Sequence, residues 1–129
     1  MYLVDTNIFL EALLEQEKVE IVRSFFQSVD LEEIYITDLA LHSIGIILFK
    51  LKKPELFISF VKDMIGNGMT VLSLSANELI ELDKVSQKFN LDFDDSYQYL
   101  AARIHHLQLI SFDNDFNKTD INRKEPQAI

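Results

Sequence analysis

Apolar positions along this chain change period repeatedly, from short strand-like runs to helical faces and back. Tyr2-Leu3-Val4 predicts a strand at the first residues, and Asp5, Thr6 and Asn7 follow as successive helix N-cap candidates. Ile8, Phe9, Leu10, Leu13 and Leu14 continue as a helix. That helix must cover the strand, so Phe9 and Leu10 are expected to pack inward, with Glu11 turned to solvent or to a site mouth. Val22, Phe25, Phe26 and Val29 predict a second helix from about Val19 to Val29. Ile34-Tyr35-Ile36 is the next strand. Thr37 and Asp38 then open a third helix through Leu41, Ile44 and Leu48 to the basic run Lys50-Leu51-Lys52-Lys53.

Pro54 suits a helix first turn, and Leu56, Phe57, Phe60, Val61, Met64 and Ile65 recur at helical spacing until Gly66-Asn67-Gly68. Val71-Leu72 reads as a third strand, after which Ser73 or Ser75 caps a helix to about Asn90. Residues Asp92 to Asp95 cap a further helix with Tyr97, Leu100, Ala101 and Ile104 on one face, and Leu107 to Phe112 is the last strand. The polar tail after Phe116 predicts no element. Strands alternating with helices are the signature of an α/β fold, here three α/β/α layers around a short central parallel sheet.

A length of 129 residues, 48% of them apolar and ten of them Phe, predicts a single domain over 1–129 with ample material for a core. The longest apolar stretch, Ile44 to Phe49, falls far short of the ~20 residues that span a bilayer. The opening Met-Tyr-Leu-Val-Asp has no basic n-region, so neither a membrane segment nor a signal peptide is expected. The absence of Cys excludes disulfides and thiolate metal sites and suits a reducing compartment, with the cytoplasm as the expected location. A net charge of −9 argues against a passive nucleic-acid binder, which carries a basic patch. It does not argue against a metallonuclease, whose acids hold cations.

In open parallel sheets, ligands bind outside the carboxyl ends of the strands. Asp5 follows the first strand and Asp113 the last. Asp95 opens the helix before that last strand, and spacing taken alone puts it near the opposite edge of the sheet. Asp94 and Asp95 stand about 100° apart around a helix, so at most one is expected to face a common site while the other is solvated. The plainer readings are a helix cap for each Asp and an ordinary turn for Asp113-Asn114-Asp115. Convergence separates the two, because carboxylates gathered at close range require a cation or raised pKa values.

The residues from Tyr2 to Glu11 resemble the opening signature of the PIN-domain family, an Asp at the end of the first strand followed by Thr or Ser and Asn. Leu91-Asp92-Phe93-Asp94-Asp95-Ser96, running on to Ala101-Ala102, resembles the family's third acidic motif. Leu109-Ile110-Ser111-Phe112-Asp113-Asn114-Asp115-Phe116 resembles the fourth, Thr/Ser-x-Asp-x-Asp-Phe. The motifs appear in order across the whole chain, which looks most like the VapC toxins of toxin–antitoxin modules.

That resemblance implies a PIN-like fold, Mg²⁺- or Mn²⁺-dependent cleavage of RNA, a homodimer and a VapB-like antitoxin partner. It implies Asp5, Asp95 and Asp113 as catalytic and metal-site acids, with a preceding loop bringing Asp95 to the catalytic face. Thr6, Asn7 and Ser111 would position them, and Asp115 would be a peripheral acid. The family's second acid falls at Ser43, a neutral and weak ligand, while Asp38 and His42, on one helix face, are possible substitutes for it. The loss makes a degenerate PIN module, binding RNA or a protein without cleavage, the alternative. A phosphoacceptor domain of receiver type is set aside, because Asp5 stands alone on the first strand and Asp113, not Lys, follows the last.

Overall fold

The computed structural model describes residues 1–129. Strands β1 (Tyr2–Val4), β2 (Ile34–Thr37), β3 (Thr70–Leu72) and β4 (Gln108–Ile110) form one parallel sheet in the order β3-β2-β1-β4. Successive strand residues point to opposite faces. Val4, Ile34, Ile36 and Ile110 therefore enter one buried cluster, while Leu3 and Leu109 enter a second, with Tyr35 packed against it. Both faces of β1 and β2 are covered, which is why these strands read as apolar runs, while the edge strand β3 leaves Thr70 and Val71 exposed.

The first face carries α1 (Thr6–Leu13), α2 (Val19–Ser28), α3 (Asp38–Lys50) and α4 (Pro54–Phe60). The second carries α6 (Leu82–Phe89) and α7 (Phe93–Ile104), with the short α5 (Ala76–Ile80) leading into α6. Phe9 anchors α1, with its ring centroid 5.5 Å from Phe26 in a stack and 5.3 Å from Phe60 edge-on. Leu10 is half-buried against the same cluster. Glu11 is half-buried too, and accepts a hydrogen bond from the backbone N of Lys18 at 2.9 Å.

Three segments depart from the sequence reading. The helix expected to continue to Ile65 gives way to a π turn at Val61–Ile65. The helix capped by Ser75, which forms a capping box with Glu78, breaks at Glu81. Leu82 and Val85 reach the core while Ile80 remains 74% exposed, so one straight amphipathic helix does not form. The tail is also structured. It makes 3-10 turns at Asn114–Lys118 and Pro126–Ala128 and returns alongside β4, where Lys124 N donates to Leu109 O and Ser111 N to Lys124 O, each at 3.0 Å. This pairing is made by backbone groups, so side-chain periodicity did not betray it. No helix is long and apolar enough to cross a membrane.

Candidate metal centre

The chain passes from β1 through β2 to β3 on one side and returns to β4 on the other, so the strand order reverses between β1 and β4. Crevices at such switch points are where open α/β sheets bind ligands. Asp5 closes β1 and Ser111 follows β4, with Asp5 N donating to Ile110 O at 2.9 Å to join the two ends.

Asp5 is only 8% exposed, and four donors hold its carboxylate. Oδ1 accepts from Thr6 N at 2.7 Å and Gln98 Nε2 at 3.1 Å; Oδ2 accepts from Ser111 Oγ at 2.6 Å and Asn7 Nδ2 at 3.4 Å. Asn7 Oδ1 in turn accepts from Phe112 N at 3.4 Å, and Ser111 Oγ from Asp113 N at 2.9 Å. Of the polar residues expected around Asp5, Asn7 and Ser111 join it through their side chains in a connected lattice from α1 to the loop after β4, while Thr6 contributes its backbone N–H. Gln98 belongs to it and was missed in the sequence. Its only signal was a polar residue three positions beyond Asp95 on the same helix. Burial pushes the Asp5 carboxyl above its ordinary range and the Asp113 charge adds to this, while the bonds from Ser111, Thr6 and Gln98 act the other way.

Asp95 lies at the carboxyl edge, not the opposite one. A helix running antiparallel to its strands begins at the edge where the strands end, so α7 delivers its first turn to the crevice. Asp92 caps that turn, accepting from Asp95 N at 3.0 Å. Carboxylate oxygens of Asp95, Asp113 and Asp115 come within 4.8 Å of one another. Asp115, expected at the periphery, joins this trio because Asp113 Oδ1 accepts its backbone N at 2.8 Å and curls the loop back. Asp5 lines the same cleft with Asp95 and Asp113, though outside the trio. Asp94 also lines the cleft, as an exposed residue, while Asp95 is half-buried.

The cleft has a volume of about 330 Å³ and no Lys or Arg in its lining. Partial burial, then the charges of Asp113, Asp92, Asp5 and Asp115, push the Asp95 carboxyl up to about 7. Two unit charges about 4 Å apart repel by about 4 kcal/mol at an effective dielectric of about 20, a cost that a small divalent cation would relieve. Hard carboxylate oxygens such as these fit Mg²⁺ or Mn²⁺.

Ser43 lines the same cleft. Asp38 and His42 do not. Asp38 Oδ1 accepts from Tyr97 OH at 2.7 Å and from Leu39 N at 2.8 Å, and exposed His42 borders a separate apolar groove with Gly45 and Phe57. Neither stands in for the residue at position 43.

An acid whose folded pKa is raised contributes stability below its ordinary value and loses it as pH rises through the folded one. Without divalent ion, the Asp95 contribution should vanish between the ordinary 3.8 and about 7. Thermal midpoints from about pH 4 to about pH 8 should therefore fall less steeply in Asp95→Asn than in the parent. Parallel profiles would show that Asp95 is not raised.

A family model described as PIN domain matches residues 2–122. Among solved structures, FitAcB from Neisseria gonorrhoeae is 20% identical, with 100% of both chains covered and a TM-score of 0.75. A toxin–antitoxin complex from Klebsiella pneumoniae is 17% identical, with 98% of both chains covered and a TM-score of 0.75. Mycobacterium tuberculosis VapC20, a Sarcin-Ricin loop cleaving toxin, is 12% identical, with 95% of this chain and 97% of that one covered and a TM-score of 0.80. Curated proteins give no sequence match. At these identities the structural likeness speaks for the fold, while the family match takes in every strand and each acid of the cleft. The chain belongs to the PIN domain family.

Proposed function

We propose that this protein is a divalent-metal-dependent endoribonuclease acting as the toxin of a toxin–antitoxin pair. The observation that carries the reading is the convergence of Asp95, Asp113 and Asp115 within 4.8 Å, with Asp95 and Asp113 lining, together with Asp5, a cleft that no Lys or Arg lines. When bound, a divalent cation supplies positive charge at the scissile phosphate and makes water a competent nucleophile near neutral pH. Asp95, Asp113 and Asp115 would hold it, with Asp5 the organising acid behind them. Thr6, Asn7, Ser111 and Gln98 keep the Asp5 carboxylate in one orientation, so little reorganisation is needed when charge arrives.

RNA as substrate and an antitoxin partner are supported by the likeness to a Sarcin-Ricin loop cleaving toxin and to a toxin–antitoxin complex. A homodimer is part of the same proposal. The direct test incubates purified protein with RNA in Mn²⁺ or in EDTA, with Asp95→Asn as control. Cleavage only by the parent in Mn²⁺ supports the reading. Cleavage that persists in EDTA, or equally in Asp95→Asn, overturns it.

Ser43 favours a second reading, a module that binds RNA or a protein without cutting. A neutral hydroxyl stands there in the cleft, where the family pattern has an acid. Ser43→Glu adds a full charge and two oxygens, and charge counts strongly for hard cations. It is expected to tighten Mn²⁺ binding in calorimetry and to raise cleavage, whereas Ser43→Ala changes little. If Ser43→Glu leaves both unchanged, position 43 does not serve the ion. If the parent cuts nothing while Ser43→Glu does, the second reading describes the natural protein.

A further inference from the structure

The loop that carries Asp113 and Asp115 contains only a short 3-10 turn, and it faces the repelling charge of Asp95. Arg123 holds it. This residue lies one position beyond the family match, in the tail where the sequence predicted no element. Its side chain is only 9% exposed. Nη1 donates to Ser111 O at 2.8 Å, Nη2 to Asn114 Oδ1 at 3.1 Å and Nε to Asn117 Oδ1 at 3.1 Å. These three bonds span the loop from its first residue to the 3-10 turn, with Asp113 in between and Asp115 beside Asn114. Lys124 fixes where the guanidinium starts, through its two backbone bonds to the end of β4.

Two features separate this contact from an ordinary surface charge. A guanidinium presents its donors in a rigid planar fork, and an ammonium cannot reach three spread acceptors in that geometry. The Arg123 charge also goes to neutral oxygens. Its one ion pair is with Glu125, at 3.6 Å, and it has none with Asp113 or Asp115. The loop is thus fixed without drawing on its carboxylates: Asp113 keeps its charge for another partner, while Asp115 Oδ1 meets only the exposed Lys118 Nζ, at 3.5 Å.

We propose that Arg123 is the positioning residue of the acidic cluster: its fork fixes loop 111–117 so that Asp113 and Asp115 face Asp95 before a cation arrives. The proposal rests on reading the cluster as a divalent-ion site. Outer partners of metal ligands typically contribute about 10- to 100-fold in metal affinity.

The test compares the parent with Arg123→Gln, Arg123→Lys and Tyr99→Phe. The last is the control, because Tyr99 OH bonds Asp120 Oδ1 at 2.5 Å in the same tail and makes no hydrogen bond to the loop. Calorimetry should show Mn²⁺ binding weakened by about tenfold or more in both Arg123 variants, since charge without the fork does not suffice, and unchanged in Tyr99→Phe. Amide exchange at Asp113 and Asp115, measured without ion, should accelerate in the Arg123 variants beyond the control. Parent-like Mn²⁺ affinity in Arg123→Gln, or loop exchange no faster than in Tyr99→Phe, overturns the proposal. A parent that binds no Mn²⁺ would instead remove the metal-site reading, and the exchange data would still decide whether Arg123 sets the loop. If Arg123→Gln does not fold, Arg123→Lys carries both measurements.

Discussion

Asp113→Asn is expected to raise the thermal midpoint of the ion-free protein and, at the same time, to abolish its response to Mn²⁺. The Asp113 charge helps to raise both Asp5 and Asp95, so removing it relieves repulsion at two carboxylates. Asn retains the oxygen that accepts from Asp115 N, so the loop keeps its turn. In the parent, a site with a dissociation constant of ~1 mM should gain about 1.4 kcal/mol from ~10 mM ion. The variant should gain almost nothing, and RNA cleavage should fall with the ion response. Paired melts with and without Mn²⁺ decide this. An equal ion response in both proteins would mean that Asp113 is a turn residue and nothing more.

Phe9→Ala is expected to cost ~3–5 kcal/mol, the range for a buried Phe whose cavity collapses only in part. Phe9 is 1% exposed and sits between Phe26 and Phe60, so α1 loses its ring contacts with α2 and α4. The same helix presents Thr6 and Asn7 to the Asp5 carboxylate, so loosening its core face should also disturb the site. Urea titration gives the cost. A loss below about 1 kcal/mol would place the anchor of α1 elsewhere.

The strands and most helices were legible because their signals are local. The apolar runs at Leu3, Ile36 and Leu109 mark the sheet, and the caps at Asp5, Thr37 and Asp92 mark where helices begin. The break at Glu81 and the π turn after Phe60 were not legible, because both answer to which residues find core, a tertiary fact. Asp5 and Asp113 announced themselves as acids at strand ends. Asp95 was assigned to the wrong edge by direction alone, an error of geometry that its motif did not share. Gln98 and Arg123 stayed hidden for a common reason: each acts through hydrogen bonds across 93 residues for Gln98 and 12 for Arg123, and no periodicity records such bonds.

Whether these acids share one divalent ion is decided by diffraction from crystals grown with Mn²⁺. An anomalous peak is expected among the carboxylates of Asp95 and Asp113, at metal–oxygen distances of about 2.1 Å, near those of octahedral Mg²⁺. Clear density for these side chains at saturating Mn²⁺, with no peak between them, would contradict a shared ion.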